Sequence, residues 1–397
     1  MVLRTYKLRL YPSRNQKSKF LNNFKICKEV YNTLISESKE LQTTKKFDFN
    51  SIVQDIKITS NNYYSQVHSQ VLQNVSDRVS KAFDHFFRRL KERKSGKKVK
   101  AGYPRYKSSI NSITYPQSGF KFVNDKKLSV SKIGNIPIIL HRIPKGRIKT
   151  MTIKVNKAGQ WFACFSCEVN LPIIKHPNKE SSVGIDVGLT NFATLTNQTS
   201  ILNPRNLIKA EKKLQFLQRC LSRKKNGSSN WKKARYRLSL QHLKVTNRRA
   251  DWQHKLSKSL AKQFGRISVE KLNITGMVKN HCLAKHIHDA SWGSFIGILS
   301  YKVVTHGGEL VKNPKTMGSS RRCCKCGNEE NMPLGKEIFT CTRCSSVLHR
   351  DINAALNHLN DTAGLAGIST PVDIKPIPSR FWMASSMAET GTICQKT

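Results

Sequence analysis

The stretch SSRRCCKCGNEENMPLGKEIFTCTRCSSVLHRDINA, residues 319–354, carries two Cys-x-x-Cys pairs followed by an isolated Arg-Asp pair. The four paired cysteines are Cys323, Cys326, Cys341 and Cys344. Two such pairs joined by a loop are typical of a zinc ribbon, in which four thiolates complete the tetrahedron around a structural Zn²⁺. A ligand pair of Cys324 and Cys326 is disfavoured, because one intervening residue is too few for a metal-binding knuckle.

Three acidic residues stand where an unpaired carboxylate is costly. Asp186 lies in the apolar stretch VGIDVGL, Glu270 lies in ISVEKL, and Asp351 begins the helical pattern HRDINAALN. A carboxylate beside buried apolar residues is protonated or needs a cation. Carboxylates from separate elements are what a phosphodiesterase needs to hold two Mg²⁺ ions about 3.5–4 Å apart. Taken singly, each acid also fits a strand-end or cap residue paired with Lys or Arg.

The charge of the chain points to a polyanionic partner. Lys and Arg number 70 against 24 Asp and Glu, which gives a formal net charge of +46. Repulsion of this size opposes a compact fold, and the phosphates of a nucleic acid relieve it. The basic residues run through the whole chain, which disfavours a membrane-surface helix. A ribosomal-type scaffold fits the charge but leaves the three acids unexplained.

Length and composition indicate a folded protein of two to four domains. Hydrophobic residues make up 38% of the 397 and charged residues 24%, with no apolar run long enough to span a bilayer. The start MVLRTYKLRLYP alternates like a strand and lacks an apolar signal core. We therefore expect a cytoplasmic protein whose eleven cysteines are reduced.

Local patterns predict a strand at 5–11, a capping box at Ser13, and helices over about 14–41 and 65–94. Residues 97–170 read as β-structure with a hairpin turning at NKAGQ. Within it, Cys164 and Cys167 form another Cys-x-x-Cys pair. On a strand they face opposite sides, so we interpret them as packing residues. Three tyrosines of this region either stack on bases or pack in the core: Tyr103, Tyr106 and Tyr115.

Six segments, taken together and in this order, resemble the TnpB family of transposon-encoded RNA-guided DNA endonucleases, which is related to the type V CRISPR nucleases. The segments are YKLRLYPSRNQ, GIDVGLTNFATLT, VEKLN, SSRRCCKCG, CTRC and HRDINAALN. The resemblance runs from residue 1 to about 360, and the last three motifs are the most specific. By motif, the family's catalytic acids fall on Asp186, Glu270 and Asp351.

The resemblance implies a multidomain α+β protein with an RNase H-like (RuvC) α/β nuclease core. Ahead of the core it implies a β-barrel wedge domain and a helical recognition lobe. The expected segments are the first wedge strand at 1–11, the helical lobe at 12–100, the wedge barrel at 101–178, the first segment of the nuclease core at 179–316 with a helical insertion at 204–264, the zinc ribbon at 317–347, the final nuclease helix at 348–362, and a C-terminal tail at 363–397 that we expect to be disordered.

The function that the resemblance implies is RNA-guided cleavage of DNA. Guided by RNA from the transposon end, such an enzyme cuts double-stranded target DNA beside a short adjacent motif, by Mg²⁺-dependent hydrolysis. The family analogy implies a prokaryotic, nucleoid-associated protein that acts as a monomer on one RNA and has no membrane partner.

Two departures from the family pattern leave every proposed ligand in place. Lys271 stands where an acid usually follows the Glu, and Ser345 replaces a common Gly. Lys271 puts the cleavage rate in question. One competing reading is a guide-RNA-dependent DNA-binding regulator or transposition modulator without cleavage. Another is an unguided resolvase or strand transferase. A pure binding protein has no reason to keep three acids in costly positions.

Overall fold

The computed structural model describes residues 2–59, 62–170, 174–313, 318–333 and 335–363, and the chain divides into two compact units, Met1–Leu171 and Pro172–Thr397. From residue 364 onward, the expected C-terminal tail lies outside the described residues. No described helix is both long and apolar enough to cross a membrane.

The first unit contains an antiparallel seven-stranded sheet in the order β2-β6-β7-β1-β5-β4-β3. Its strands are β1 (Val2–Leu10), β2 (Ser112–Pro116), β3 (Phe120–Asn124), β4 (Lys127–Val130), β5 (Gly134–Ile139), β6 (Arg147–Val155) and β7 (Trp161–Val169). β1 pairs with β7 along its whole length. In β7 every second residue is buried, which puts Cys167 in the core and Cys164 on the other face. Neither cysteine belongs to a group of described residues that could hold a metal.

Three α-helices of the described chain share a hydrophobic core with this sheet: α1 (Arg14–Glu40), α2 (Lys46–Thr59) and α3 (Ser69–Lys94). The predicted capping box is present, since the Ser13 hydroxyl accepts from the Gln16 amide and the Gln16 side chain accepts from the Ser13 amide. Helix α2 is absent from the predicted elements. Its residues mix aromatic and β-branched types, and only Phe49 and Val53 are fully buried, so the helical period is weak.

The three tyrosines singled out in residues 97–170 have different environments. Tyr115 is fully buried in the core, whereas Tyr103 and Tyr106 are 40% and 53% exposed. Tyr103 packs edge-on against Phe83, and the ammonium group of Lys39 lies 5.3 Å from the ring of Tyr106. Packing therefore accounts for Tyr115 and leaves the two other rings partly accessible.

The second unit is built on a mixed five-stranded sheet in the order β10-β9-β8-β11-β12. Its strands are β8 (Ser182–Asp186), β9 (Asn191–Leu195), β10 (Ser200–Leu202), β11 (Arg266–Val269) and β12 (Glu309–Lys312). β11 runs parallel to both β8 and β12, whereas β9 is antiparallel to β8 and to β10.

Within the described part of the second unit, six helices and a small hairpin accompany this sheet. They are α4 (Asn206–Ser222), α5 (Ser229–Gln263), α6 (Ile274–Met277), α7 (His281–Ala290), α8 (Trp292–Thr305), the hairpin strands β13 (Ile338–Thr340) and β14 (Val347–His349), and α9 (Arg350–Ala363). The helical pair α4 and α5 separates β10 from β11 in the chain, and β13 and β14 lie between β12 and α9. The strands of the sheet thus come from segments far apart in sequence.

The two faces of the second sheet have different partners. Val183 and Ile185 of β8 belong to a buried cluster with residues of α5 and α8. Gly184, between them, faces α9 so closely that an added Cβ would lie 2.0 Å from the Ala355 carbonyl oxygen. Glycine at this position therefore allows α9 to lie directly on β8.

Candidate metal centres of the second unit

Alternation along two parallel strands brings Asp186 and Glu270 to the same place. Asp186 is the last residue of β8, two residues after Gly184, which faces α9. Because side chains alternate along a strand, the Asp186 side chain lies on this same face of the sheet. Arg266 and Ser268 of β11 both bond to Thr362 of α9, so Glu270, two residues further, faces the same way. Ile185 pairs with Val269, which sets the two acids side by side at the carboxyl ends of their strands.

A histidine joins the two carboxylates. One ligand atom each from Asp186, Glu270 and His358 lies within 4.8 Å of the others. The Nε2 atom of His358 is 3.4 Å from Oδ1 of Asp186, and the histidine side chain is 1% exposed against 17% for Asp186. The group therefore lies at the edge of the core, with one side accessible to solvent.

The pKa of Glu270 reflects this crowding. Burial of the carboxyl raises its pKa, the neighbouring His358 opposes that shift, and the negative charge of Asp186 adds to it. Two carboxylates at short range disfavour each other's ionised form, and a divalent cation between them would remove that cost. The raised pKa of Glu270 thus means that its ionised form is disfavoured by the surrounding protein groups.

Asp351 lies in the first turn of α9, close to the group but outside it. Burial and the negative charge of Asp186 raise the pKa of its carboxyl, while His349 and Arg350 oppose the shift. Two of the three predicted acids, Asp186 and Glu270, therefore share one cluster. The third, Asp351, lies further away and interacts electrostatically with Asp186.

His358 was not among the predicted site residues. It follows Asp351 by seven residues in HRDINAALNHLN, which is two helical turns and therefore the same face of α9. That spacing was the available signal. It was weak, because a buried histidine on a helix usually packs without binding anything.

The four paired cysteines form a second cluster, in the segment that the resemblance predicts to be a zinc ribbon and that is called the ribbon below. The Sγ atoms of Cys323, Cys326, Cys341 and Cys344 all lie within 4.8 Å of one another. Cys323 and Cys344 are 3.6 Å apart at sulfur, and Cys326 and Cys341 are 3.5 Å apart. Tetrahedral Zn²⁺ with Zn–S bonds of about 2.3 Å separates its sulfurs by about 3.8 Å, so the thiols fit a structural zinc ion.

The ribbon is tied directly to α9. Cys324 lies outside the four-sulfur group, and its amide donates to the Asn353 side chain at 2.9 Å. The side chains of Asn353 and Asn357 both donate to the carbonyl of Arg322, at 2.8 and 2.6 Å. The cysteine cluster therefore sits next to the helix that carries Asp351 and His358.

Three family models match separate parts of the chain. The family described as "Probable transposase" matches residues 164–281, the one described as "Cas12f1-like, TNB domain" matches 292–358, and a "Helix-turn-helix domain" matches 1–46. The second of these contains the four cysteines of the ribbon and the acid at the start of α9.

Two curated relatives match the chain over most of its length. A protein of Streptomyces pristinaespiralis, provisionally named RNA-guided DNA endonuclease, is 32% identical over 387 residues, which cover 94% of this chain and 92% of the relative. A protein of Escherichia coli strain K12 with the same provisional description is 26% identical over 382 residues, covering 90% and 92%.

Two solved structures have a similar fold. A Cas12f1–sgRNA–target DNA complex superposes with a TM-score of 0.53 at 14% identity, covering 90% of this chain and 99% of the other. The mini-RNA-guided endonuclease CRISPR-Cas phi3 gives 0.51 at 10% identity, covering 93% and 94%. At such low identities the likeness concerns the fold alone, which is the multidomain α+β fold of these nucleases.

Proposed function

Because the chain belongs to the TnpB family, whose relatives carry the name RNA-guided DNA endonuclease, we propose that it is itself an RNA-guided enzyme that cuts DNA. The bound guide is an RNA from the transposon end, and the substrate is double-stranded DNA next to a short adjacent motif. One chain acts on one RNA.

The observation that carries this proposal is the convergence of Asp186 and Glu270 at the carboxyl ends of adjacent parallel strands. Burial and mutual repulsion make this arrangement unfavourable without a cation, as the raised pKa of Glu270 reflects. A protein that only binds nucleic acid gains nothing from two such carboxylates, whereas a metal-dependent nuclease requires them as ligands.

Magnesium suits the carboxylate donors of this site. Asp186 and Glu270 would hold it, and Asp351, at the start of α9, would complete a two-metal site. When bound, Mg²⁺ activates the attacking water and stabilises the charge on the leaving oxygen of the phosphodiester. The protein's own role is to hold the acids on two strands and one helix of a RuvC-type core.

Zinc at the four cysteines would act on the same site from a distance. Because the ribbon is hydrogen-bonded to α9 through Arg322, Cys324 and two asparagines, its fold supports the position of that helix. Four thiolates leave no open coordination position, so the zinc ion takes no part in the reaction.

A cleavage assay tests the proposal. The full-length protein, co-expressed with the RNA encoded at its transposon end, is given a plasmid library carrying the matching target, in Mg²⁺ and in EDTA. We expect guide-matched cutting in Mg²⁺ alone. Asp186→Ala lowers the rate by more than about 100-fold, since even partners that only touch a ligand cost 10–100-fold.

The control is Asp251→Ala, which removes an exposed acid of α5 that pairs with Lys255, and we expect it to leave cutting unchanged. Tight guide-dependent binding of target DNA with no cutting by the unaltered protein would contradict the proposal and favour a DNA-binding regulator. Cutting that needs no RNA would favour an unguided resolvase.

A further inference from the structure

A chain of buried polar groups lies behind Asp186. The side chain of His358 is 1% exposed, and its two ring nitrogens face different partners. Nδ1 is 3.2 Å from the amide nitrogen Nδ2 of Asn313, and Nε2 is 3.4 Å from Oδ1 of Asp186. Among the described residues Nε2 has no hydrogen-bond partner. Because buried donors are almost always paired, this nitrogen calls for an explanation.

The orientation of Asn313 is set by its other neighbour. Its Nδ2 donates to Oδ2 of Asp361 at 2.8 Å, and the same carboxylate oxygen accepts from the guanidinium of Arg322. An ionised carboxylate only accepts hydrogen bonds, so the Asn313 atom that faces it is the NH₂ group. The backbone amide of Asn313 donates to the Val269 carbonyl at 2.8 Å, which anchors the residue beside β11.

This orientation determines which nitrogen of His358 carries the proton. An NH₂ group can only donate, so in the 3.2 Å contact between Asn313 Nδ2 and His358 Nδ1 we assign Nδ1 as the acceptor. In a neutral imidazole the proton is then on Nε2, the nitrogen that faces Asp186. A protonated nitrogen has no lone pair for a metal ion. His358 is thus a hydrogen-bond donor to the Asp186 carboxylate. Its Nε2 atom nevertheless lies close enough to Asp186 and Glu270 for a metal ligand.

We propose that His358 is a positioning residue whose Nε2–H binds Oδ1 of Asp186 and leaves the other carboxylate oxygen for the cation. At 3.4 Å the pair is longer than a formed hydrogen bond, and a small rotation of the partly exposed Asp186 side chain closes it. The inference rests on the proposed metal site, and it adds a supporting chain that begins at Arg322, next to the first ribbon cysteine.

Mn²⁺ binding by the full-length protein, with its zinc retained, tests the inference. Mn²⁺ is followed by electron paramagnetic resonance in the unaltered protein and in Asp186→Ala, His358→Leu and His358→Gln. We expect His358→Leu to weaken binding by about 10–100-fold, the usual effect of losing a partner that orients a ligand. His358→Gln offers an amide donor near the position of Nε2, and we expect it to remain within about threefold of the unaltered protein.

The outcomes separate this inference from the proposed function. If the unaltered protein shows no Mn²⁺ binding, or only binding that Asp186→Ala leaves intact, the proposed metal site is wrong, and the inference with it. Asp186-dependent binding that His358→Leu leaves unchanged would overturn the inference alone. Equal losses in His358→Leu and His358→Gln would also overturn it, because they would indicate a nitrogen ligand.

A measurement on the unaltered protein holds even if His358→Leu fails to fold. In ¹⁵N-histidine spectra, with the signal assigned by its absence in His358→Gln, we expect protonated Nε2 and unprotonated Nδ1, both before and after addition of Mg²⁺. Loss of the Nε2 proton on metal binding, or protonation on Nδ1 in the metal-free protein, would contradict the proposal.

Discussion

At the scale of single residues, Glu270 is the site residue that we expect to lower the stability of the metal-free protein. Burial and the charge of Asp186 raise the pKa of its carboxyl, so the folded chain holds that proton more tightly than the unfolded chain does. Without metal, ionisation of Glu270 therefore costs stability at neutral pH. The cost disappears as the pH falls through the raised pKa toward the ordinary value for glutamate.

Replacing Glu270 should accordingly stabilise the metal-free protein. We expect Glu270→Gln to raise the Tm in Mg²⁺-free buffer by about 2–4 °C, the shift that roughly 1 kcal/mol produces in a unit of this size. The difference from the unaltered protein should shrink at acidic pH, and added Mg²⁺ should stabilise only the unaltered protein. Calorimetry with zinc retained measures both effects. A lower Tm for the variant would mean that Glu270 is satisfied without a metal.

At the scale of elements, the site depends on the contact between β8 and α9. Asp186 ends the strand, while Asp351 and His358 lie on one face of the helix. Gly184 lets the two elements meet, because any side chain there would run into the Ala355 carbonyl. A displacement of α9 would therefore move Asp351 and His358 away from Asp186 and Glu270.

Gly184→Ala tests this contact. We expect it to destabilise the protein by about 1–3 kcal/mol, as overpacking does, and to abolish Mn²⁺ binding. The matched control is Gly297→Ala in α8, where an added Cβ meets nothing within 4 Å and alanine favours the helix by up to about 1 kcal/mol. Urea titration and Mn²⁺ binding measure both variants. Metal affinity that survives in Gly184→Ala would show that the close approach of α9 is dispensable.

At the scale of the whole molecule, the net charge of +46 dominates. Few acids are available to balance it, and three of them are committed to the candidate nuclease site. The remaining excess has to be met by a polyanion, in agreement with the RNA and DNA partners that we propose.

The affinity for guide RNA should therefore fall steeply with salt. With six to ten phosphate contacts, we expect a loss of about 10³–10⁵ between 50 and 200 mM NaCl. Filter binding over this range gives the slope of log affinity against log salt. An uncharged osmolyte at matched osmolality should leave the affinity unchanged. A flat salt dependence would mean that base contacts, not phosphate contacts, hold the RNA.

Several features of the fold and of the site were predictable from the sequence because their signals are local. The spacing of the four cysteines, the capping box at Ser13, and the two acids at the ends of apolar strands each depend on residues close together in the chain. Helix α2 was not predicted, because its weak helical period gives little local signal.

The tertiary structure alone decided how the acids are supported. Asp186, the pair Asn313 and Arg322, and His358 come from three separate segments of the chain, and the packing of α9 on β8 and β11 brings them together. The same packing leaves Asp351 outside the closest cluster and puts His358 in it. Which ring nitrogen carries a proton follows from a hydrogen-bond chain through three separate segments, and no pattern in one segment can encode it.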